Sequence, residues 1–396
     1  NIFILIKGKI ILADVFSLKL RNMYLEKLTK QLIEIESISP NDAGCFDILE
    51  SVLCGMNFSC ERINYKSVEN LYAVLGSEGP TFCFLGHTDV VPTGPLDKWT
   101  YPPFGGEIHN DHMYGRGAAD MKGNICAFIE ALETFLSTEK LNFRIAVLLT
   151  SNEEGTPEDG FIDELLEKLK ARGETIDYCL VGEPSSSSTV ADTIRIGRRG
   201  SLSGKLKIIG KQGHIAYPEK FVNPIFLISD LIKILKEKKW DEGNEHFQPT
   251  SFQISNINSG TGAGNIVPGE LIMDFNFRFC SESTSDDLIT SFEEILNSLD
   301  LKYELDWSLS GNPFLTTKDF FINKVISAIK ETTGREPIIN NGGGTSDGRF
   351  MIAMDAEIVE LGPLNESIHK IDENVSLNDL KTLKDIYVNL LKNLST

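Results

Sequence analysis

Short apolar runs that predict β-strands are each followed by a side chain of a type that binds metal ions. In open α/β sheets, ligands bind in the crevice beyond the carboxyl ends of the strands, so side chains in these positions are expected to converge. Two imidazoles and three carboxylates, with no thiolate among them, suit a pair of borderline-hard divalent cations held for hydrolysis. The pattern predicts an α/β fold with a hydrolytic metal site. The five side chains are His87, Asp120, Glu154, Glu183 and His369.

Length and charge narrow the class of protein. A chain of 396 residues exceeds the size at which a single hydrophobic core stops growing, so two domains are expected. The formal net charge of −19 argues against nucleic acid and against an anionic membrane as the main partner, because both would repel the chain. An anionic small-molecule substrate would need a local basic pocket in so acidic a protein.

The cysteines indicate the redox environment. There are seven, an odd number, with no CxxC pair among them, and most lie in apolar runs. They are therefore predicted to be reduced, buried and structural, which implies a reducing, cytoplasmic location.

The first 22 residues are apolar with scattered lysines, which raises the question of a targeting segment. Lys7 and Lys9 interrupt the apolar run after six residues, whereas a membrane span needs about 20. Met23 then opens a segment in which apolar residues such as Leu25, Leu28 and Leu32 follow helical spacing. We expect Met23 to be the true start, and residues 1–22 to be a non-native or disordered extension.

The order of predicted elements indicates an inserted domain. From residue 23 to 199, strand-like and helix-like segments alternate, which is typical of a sheet covered by helices. From 200 to 311, alternating strands with glycine turns and a long helix predict an antiparallel α+β module. The first pattern returns from 312 to 396, and it includes His369, which is expected to join His87. The catalytic domain is therefore predicted to consist of 23–199 and 312–396, with 200–311 inserted between them.

Several sequence blocks, from about residue 23 to the C-terminus, resemble those of the M20-type metallopeptidases. The resemblance implies an α/β catalytic domain with a central mixed sheet flanked by helices, and an inserted α+β dimerisation or lid domain, hence a homodimer. It also implies two zinc ions (Zn²⁺) per subunit, with cobalt (Co²⁺) as a substitute. The blocks are FLGHTDVVPTG, MYGRGAADMKG, TSNEEG, DYCLVGEPSS, GRRGSLSG, GKQGHIAYP, GTGAGNIVPGE, FNFRF, GGGTSDGRF and ELGPLNESIHKIDE.

Some blocks are more specific than others. HTDVVP and EEG fit many M20 activities, so an aminoacylase, a deacetylase or a dipeptidase stays an alternative. The blocks GRRGS, GGTSDGRF and PLNESIHK are similar to those of the amidohydrolases of lysine and diaminopimelate biosynthesis, which release succinate from a diamino acid. A non-catalytic binding homologue that has lost its metals is a further alternative. The complete set of five ligands and the presence of Glu153 argue against it.

Glu153 and Glu154 are adjacent and cannot point the same way, which divides their roles. One carboxylate can bind metal while its neighbour takes a proton from the attacking water and delivers it to the leaving amine. The resemblance assigns the base to Glu153 and the ligand to Glu154, although a solvated acidic turn is the ordinary meaning of such a pair. In the implied arrangement, the residues completing one ion are His87 and Glu183, and those completing the other are Glu154 and His369.

Asp120 and Asp89 also have predicted roles at the metal site. The two carboxylate oxygens of Asp120 suit a ligand shared by two cations, and its position before a helix also suits an N-cap. Asp89 stands two residues after His87, so it can hydrogen-bond the far nitrogen of a metal-bound imidazole, or its neighbour, and fix the orientation of the ligand.

Recognition of an anionic substrate is predicted from arginines and a glycine turn. Guanidinium groups pair bidentately with carboxylates, and the backbone amides of a glycine turn can hold another carboxylate. The resemblance also implies that His214 reaches into the site of the other subunit and donates a hydrogen bond to the developing oxyanion. A turn histidine is the alternative for His214. The residues implied to bind substrate are Arg198, Ser201, Tyr217, Asn265, Arg278, Gly344, Thr345 and Asn365.

Two positions depart from the pattern of the family. Gly264 stands where a first asparagine is expected before Asn265, so a hydrogen bond to substrate is expected to be missing. Asn152 stands where an aspartate is expected beside Glu153. Because a like charge raises the pKa of a carboxyl group, this change is expected to lower the pKa of Glu153.

Overall fold

A computed structural model describes residues 5–6, 9–10, 14–155 and 162–396, with side chains described from residue 24 onward. Within these residues, no helix combines the length and the apolar character that a membrane span requires. The helices are α1 (Asp14–Ile33), α2 (Cys45–Gly55), α3 (Gly123–Thr138), α4 (Asp163–Ala171), α5 (Pro224–Glu237), α6 (Ser285–Ser298), α7 (Asp319–Thr333) and α8 (Leu377–Leu394).

The strands are mostly short, and they form one large sheet, one four-stranded sheet and several small ladders. In chain order they are β1 (Leu5–Ile6), β2 (Lys9–Ile10), β3 (Ser59–Arg62), β4 (Asn70–Leu75), β5 (Thr81–His87), β6 (Glu107–His109), β7 (His112–Tyr114), β8 (Arg144–Thr150), β9 (Tyr178–Val181), β10 (Thr193–Ile194), β11 (Gly197–Arg198), β12 (Gly200–Ile209), β13 (Gly213–His214), β14 (Ser251–Ser259), β15 (Ile266–Val267), β16 (Glu270–Phe279), β17 (Tyr303–Gly311), β18 (Phe314–Leu315), β19 (Ile338–Ile339), β20 (Glu357–Glu360) and β21 (Asn374–Ser376).

The N-terminal segment differs from expectation. The backbone of residues 14–22 is helical and continuous with the rest of α1, whereas the sequence predicted a non-native or disordered extension over residues 1–22. The remainder of the prediction, at residues 1–4, 7–8 and 11–13, lies outside the described residues. Residues 156–161 also lie outside them.

The chain divides into two compact units. The first comprises Asn1–Ile196, Thr316–Asn340 and Ser346–Thr396, and the second comprises Gly197–Leu315 and Asn341–Thr345. The sequence prediction ended the inserted domain at residue 311 and assigned 341–345 to the catalytic domain. In the structure, the guanidinium of Arg198 donates hydrogen bonds to the carbonyl oxygens of Gly342 and Gly344, at 3.4 and 2.9 Å, which attaches this glycine turn to the second unit.

The first unit is built on a six-stranded mixed sheet in the order β20-β9-β5-β8-β4-β3. Strands β20, β9, β5 and β8 are parallel to one another. Strand β4 pairs antiparallel with β8, and β3 pairs antiparallel with β4. All seven residues of β5 are buried, which requires cover on both faces of the sheet and explains why its sequence is a continuous apolar run. The ring of Phe84 in β5, for example, stacks on Phe128 of α3 at 4.1 Å. The predicted mixed sheet flanked by helices is confirmed.

The second unit is an antiparallel sheet covered by two helices. The strand order is β14-β16-β12-β17, and α5 and α6 pack with it around one core that contains Phe275, Phe277 and Phe292. Buried residues alternate along β16, as expected where one face of a sheet packs on a core. Thr284 and Asp287 form a reciprocal capping box at the start of α6. The predicted α+β module is therefore confirmed as a fold.

The cysteines are all free thiols, and five of them are buried. Cys54 is exposed and Cys60 is partly exposed, and their Sγ atoms lie 3.0 Å apart. The prediction of buried cysteines is wrong for this pair, because Cys54 lies at the end of α2 and Cys60 lies on the edge strand β3.

Candidate active site

The carboxyl ends of four parallel strands of the first unit carry acidic side chains or histidines. His87 is the last residue of β5, and Glu153 and Glu154 lie in the turn after β8. Glu183 follows β9, and His369 lies in the long loop after β20. Because these strands are parallel neighbours, their carboxyl ends lie at one edge of the sheet, and the side chains meet there.

Asp120 reaches the same place from a different element. It follows β7, which belongs to a small three-stranded sheet in the order β21-β7-β6 and not to the main sheet, so the strand-end pattern predicted for Asp120 is wrong for the main sheet. The turn before it requires glycine: Gly117 has φ +83°, and a Cβ there would lie 2.6 Å from Cγ1 of Val90. The chain then makes one wide helical turn at Ala118–Lys122, which places the carboxylate at the site.

The carboxylate of Asp120 lies between the two imidazoles. Its Oδ1 is 3.3 Å from Nε2 of His87, and its Oδ2 is 3.4 Å from Nε2 of His369. Glu154 Oε1 is 2.6 Å from Nε2 of His369, and Glu183 Oε1 is 3.8 Å from Nε2 of His87. Each oxygen of Asp120 thus faces a different histidine, and each histidine lies near a different glutamate.

Two groups of side chains could each hold a metal ion. One consists of His87, Asp120 and Glu154, and the other consists of His87, Glu153 and Glu183, with the ligand atoms of each group within 4.8 Å of one another. Glu153, predicted as the base, therefore lies directly beside the ligand atoms. His369 adopts a left-handed conformation with φ +59°, which is costly for a residue with a side chain and is found preferentially at functional sites.

The electrostatics of the cluster suit cations. Burial, and then the charges of Glu183 and Glu154, raise the pKa of Glu153 well above its ordinary value. Hydrogen bonds to Asp120 and Glu154 raise the pKa of His369 to about 10. Burial raises the pKa of Asp120, but hydrogen bonds from His369 and His87 outweigh it and lower that pKa. Four crowded carboxylates repel one another, and a pair of divalent cations would offset this repulsion, so the donor set fits such ions.

Asp89 contacts both His87 and the turn at Glu153. The Nδ1 atom of His87 lies 2.9 Å from the backbone oxygen of Asp89 but 3.6 Å from the carboxylate, so the main chain orients the imidazole. The carboxylate accepts hydrogen bonds from the backbone N–H groups of Glu153 and Glu154, both at 3.1 Å, and from the hydroxyl of Ser39. Asp89 therefore holds the turn that carries Glu153 and Glu154. No sequence spacing signals this contact, because it joins residues more than sixty positions apart.

Asp347 is a second residue whose position the sequence did not indicate. It lies in the segment after the glycine turn, its side chain is buried, and its charge contributes to the raised pKa of Glu153. Burial raises its own pKa to about 6, partly offset by Arg349, whose guanidinium lies 3.6 Å away. In sequence it has no spacing that relates it to Glu153.

The second unit carries the predicted arginine cluster. Burial, and then the charges of Arg199 and Arg198, lower the pKa of Arg278, so the three guanidinium groups are close enough to repel. Nη1 of Arg278 and Nε of Arg199 are buried without a hydrogen-bond partner among the described residues. Buried donors of this kind normally have an acceptor, which an anionic ligand would provide. Ser201 lies opposite Arg278 in the β12–β16 ladder, and the buried hydroxyl of Thr345 likewise has no hydrogen-bond partner among the described residues.

The remaining predicted residues are mostly exposed. His214 and Tyr217 are exposed, and the two rings lie 5.6 Å apart. Asn265 is adjacent to them, because the backbone N–H of Ile215 donates to its carbonyl oxygen at 3.1 Å. Asn365 belongs to the first unit, where its backbone N–H donates to Ser186.

Comparison with known proteins identifies the family of this chain. Residues 83–393 match peptidase family M20/M25/M40. The chain is 50% identical over 372 residues to the succinyl-diaminopimelate desuccinylase of Hydrogenovibrio crunogenus, covering 93% of this chain and 98% of that protein. It is also 50% identical over 368 residues to the enzyme of that name from Methylococcus capsulatus, covering 93% and 97% of the two chains.

Solved structures share the fold at low sequence identity. An M20 family metallo-carboxypeptidase from Sulfolobus solfataricus superposes with a TM-score of 0.80 at 18% identity, covering 93% of this chain and 98% of that one. A dinuclear metal binding peptidase of the M20 family from Bacillus subtilis superposes with a TM-score of 0.68 at 15% identity, covering 94% and 98%. The resemblance found in the sequence is thereby confirmed: the chain belongs to peptidase family M20/M25/M40, a family of metal-dependent hydrolases.

Proposed function

We propose that this protein hydrolyses the amide bond of N-succinyl-L,L-2,6-diaminopimelate to succinate and L,L-diaminopimelate, a step of lysine and diaminopimelate biosynthesis. The observation that carries the proposal is the Asp120 carboxylate facing two imidazoles, with Glu153 beside the ligand atoms. The specific substrate is supported by identity of about one half, over nearly the whole chain, to relatives that bear the desuccinylase name.

The proposed cofactor is a pair of Zn²⁺ ions per subunit, with Co²⁺ able to replace them. His87 and Glu183 would hold one ion, Glu154 and His369 the other, and Asp120 both. When bound, the ions polarise the amide carbonyl and lower the pKa of a water molecule. The donor atoms support this assignment, since imidazole and carboxylate without thiolate suit zinc in hydrolytic sites.

Glu153 is proposed as the general base and acid. Its carboxylate takes a proton from the attacking water and later delivers it to the amide nitrogen that leaves. Because its pKa is raised, Glu153 can hold this proton between the two transfers. The backbone N–H of Glu153 is fixed by Asp89, so the carboxylate is presented from a rigid turn.

A homodimer completes the proposed site. His214 would come from the other subunit and donate a hydrogen bond to the oxyanion that develops at the amide carbonyl. Two observations support this role. His214 is exposed, and its Nδ1 already accepts a hydrogen bond from the backbone N–H of Ala216 at 3.1 Å. In that tautomer Nε2 carries the proton and can act as a donor.

The two departures from the family pattern have little effect on the described structure. Around Gly264 there is open space where a side chain would begin, so the fold does not require glycine there. Asn152 is fully buried, and its backbone N–H donates to the hydroxyl of Thr150 at 3.3 Å. Burial and neighbouring carboxylates keep the pKa of Glu153 high with asparagine at position 152.

The proposed location is the reducing cytoplasm, which the free thiols support.

The arginine cluster is proposed to bind a carboxylate of the substrate. Arg278→Met is expected to raise KM for the succinylated substrate roughly 10- to 100-fold, because hydrogen bonds to charged groups contribute about 1.5–3 kcal/mol. Initial rates at varied substrate concentration measure this effect. Arg172→Met, which removes an exposed arginine of the first unit, is the matched control and should leave KM unchanged. An unchanged KM in Arg278→Met would rule out the proposed contact.

Product analysis tests the proposed function directly. Zinc-loaded protein incubated with N-succinyl-L,L-diaminopimelate should release succinate and L,L-diaminopimelate in equal amounts, which chromatography of the two products measures. Release of neither product by protein that contains zinc would contradict the proposal.

A further inference from the structure

A buried ion pair lies just outside the proposed ligands. Arg116 and Glu373 are 2% and 0% exposed, and Nη1 of the guanidinium is 2.7 Å from Oε2 of the carboxylate. Both residues belong to the first unit. A buried ion pair stabilises a fold weakly, since apolar residues of similar volume often replace it without loss, so this pair calls for another explanation.

Glu373 holds the segment that presents Asp120. Its second oxygen, Oε1, accepts hydrogen bonds from the backbone N–H groups of Ala119 and Asp120, both at 3.1 Å. Its backbone oxygen accepts a third from Gly115 at 2.8 Å. Glu373 therefore binds the glycine-rich turn at its start and at the residue whose carboxylate lies between the two histidines.

Arg116 connects two further segments to the same point. Its Nη1 donates to the carbonyl oxygen of Lys370 at 3.0 Å, directly after His369. Its Nη2 donates to the carbonyl oxygen of Pro92 at 3.3 Å, in the loop that follows His87. The central carbon of the guanidinium, Cζ, lies 5.2 Å from the ring centre of Trp99. The charged pair thus joins the loops that follow or carry His87, Asp120 and His369.

We propose that Arg116 and Glu373 are positioning residues that fix Asp120 and His369 in the geometry of a two-cation site. The inference rests on the proposed function. The physical basis is general: groups that orient the ligands of a metal from outside set its affinity, and losing one costs roughly 10- to 100-fold. A rigid ion pair between three loops does this without contacting the metal or the substrate.

The test measures zinc binding as well as activity. Glu373→Gln keeps the shape of the side chain but removes its charge, so one zinc ion is expected to bind roughly 10- to 100-fold more weakly than in the wild type. Competition with a chromophoric chelator gives the affinity of each site. The expected kinetic effect is a lower kcat with KM for substrate nearly unchanged, because neither residue contacts substrate in the proposal.

Additional variants separate positioning from stability. Glu373→Asp keeps the charge but shortens the side chain by one methylene. This variant should fold, and it should bind zinc more weakly than the wild type does. Glu174→Gln removes one partner of the 2.7 Å ion pair with Arg144, at the other end of β8, and should leave zinc affinity unchanged. Thermal unfolding of each metal-free protein identifies variants that do not fold.

The outcomes distinguish the two proposals. The positioning role requires a wild type that binds two zinc ions and hydrolyses substrate. It is overturned if Glu373→Gln and Glu373→Asp both fold and bind zinc as tightly as that wild type. If Glu373→Gln does not fold, the affinity of Glu373→Asp decides. If the wild type itself binds no zinc, the proposed function fails, and with it the premise of this inference.

Discussion

Glu153→Gln is expected to lower kcat by roughly 10²–10⁴-fold, the usual contribution of a general acid–base group, while zinc content stays at the wild-type level. Glutamine has nearly the same shape, but its amide cannot accept the proton of the attacking water. Glu153 lies beside Glu183 and His87 without being required as a ligand in the proposed assignment. KM should change little, since substrate contacts are assigned to other residues.

Metal analysis together with initial rates measures the effect of this substitution. The matched control is Glu167→Gln, an exposed glutamate of α4, which should retain full activity. Near-normal turnover by Glu153→Gln would remove Glu153 from the role of base. Loss of zinc along with activity would instead identify Glu153 as a ligand, as its place in one of the two candidate metal groups allows.

Asp120→Asn is expected to have the largest effect on metal binding. Both carboxylate oxygens face a histidine, and an asparagine offers only one oxygen together with a donor group that repels a cation. Zinc content should fall from two ions per chain to at most one. The value of kcat/KM should fall on the order of 10³-fold, because stabilisation of charge by a metal contributes several kcal/mol and each ~1.4 kcal/mol is tenfold in rate.

Elemental analysis after dialysis against metal-free buffer measures the zinc content of Asp120→Asn. The control is Asp286→Asn, an exposed aspartate in the first turn of α6, which should bind zinc as the wild type does. Two zinc ions retained by Asp120→Asn would show that this carboxylate does not bridge them.

The strand-end ligands could be predicted because they depend on local patterns. A buried parallel strand reads as a continuous apolar run, and the residue after it must lie at the carboxyl edge of the sheet. His87, Glu154 and Glu183 are of this kind. His369 follows its strand at a greater distance, in the long loop after β20, but the same pattern included it.

Long-range contacts set the limit of prediction. Asp120 lies in the turn after β7, a strand of a small separate sheet. Its position depends on Gly117 and on the carboxylate of Glu373, which is far along the chain. Asp89 was expected to orient its neighbour His87, yet its carboxylate binds the turn at Glu153. Hydrogen bonds between distant residues have no spacing signature, so a single sequence identifies the ligand types but not the groups that position them.

Relative rates on different acyl groups test the central claim most directly. Zinc-loaded protein should hydrolyse N-succinyl-L,L-diaminopimelate with a kcat/KM at least roughly 10²-fold above that for the N-acetyl analogue, because only the succinyl substrate has a carboxylate on its acyl group for a guanidinium to bind. The two substrates share the metal site and differ only at the acyl group. Equal or faster hydrolysis of the N-acetyl analogue, or of a dipeptide, would contradict the assignment as a desuccinylase and favour another activity of the M20 family.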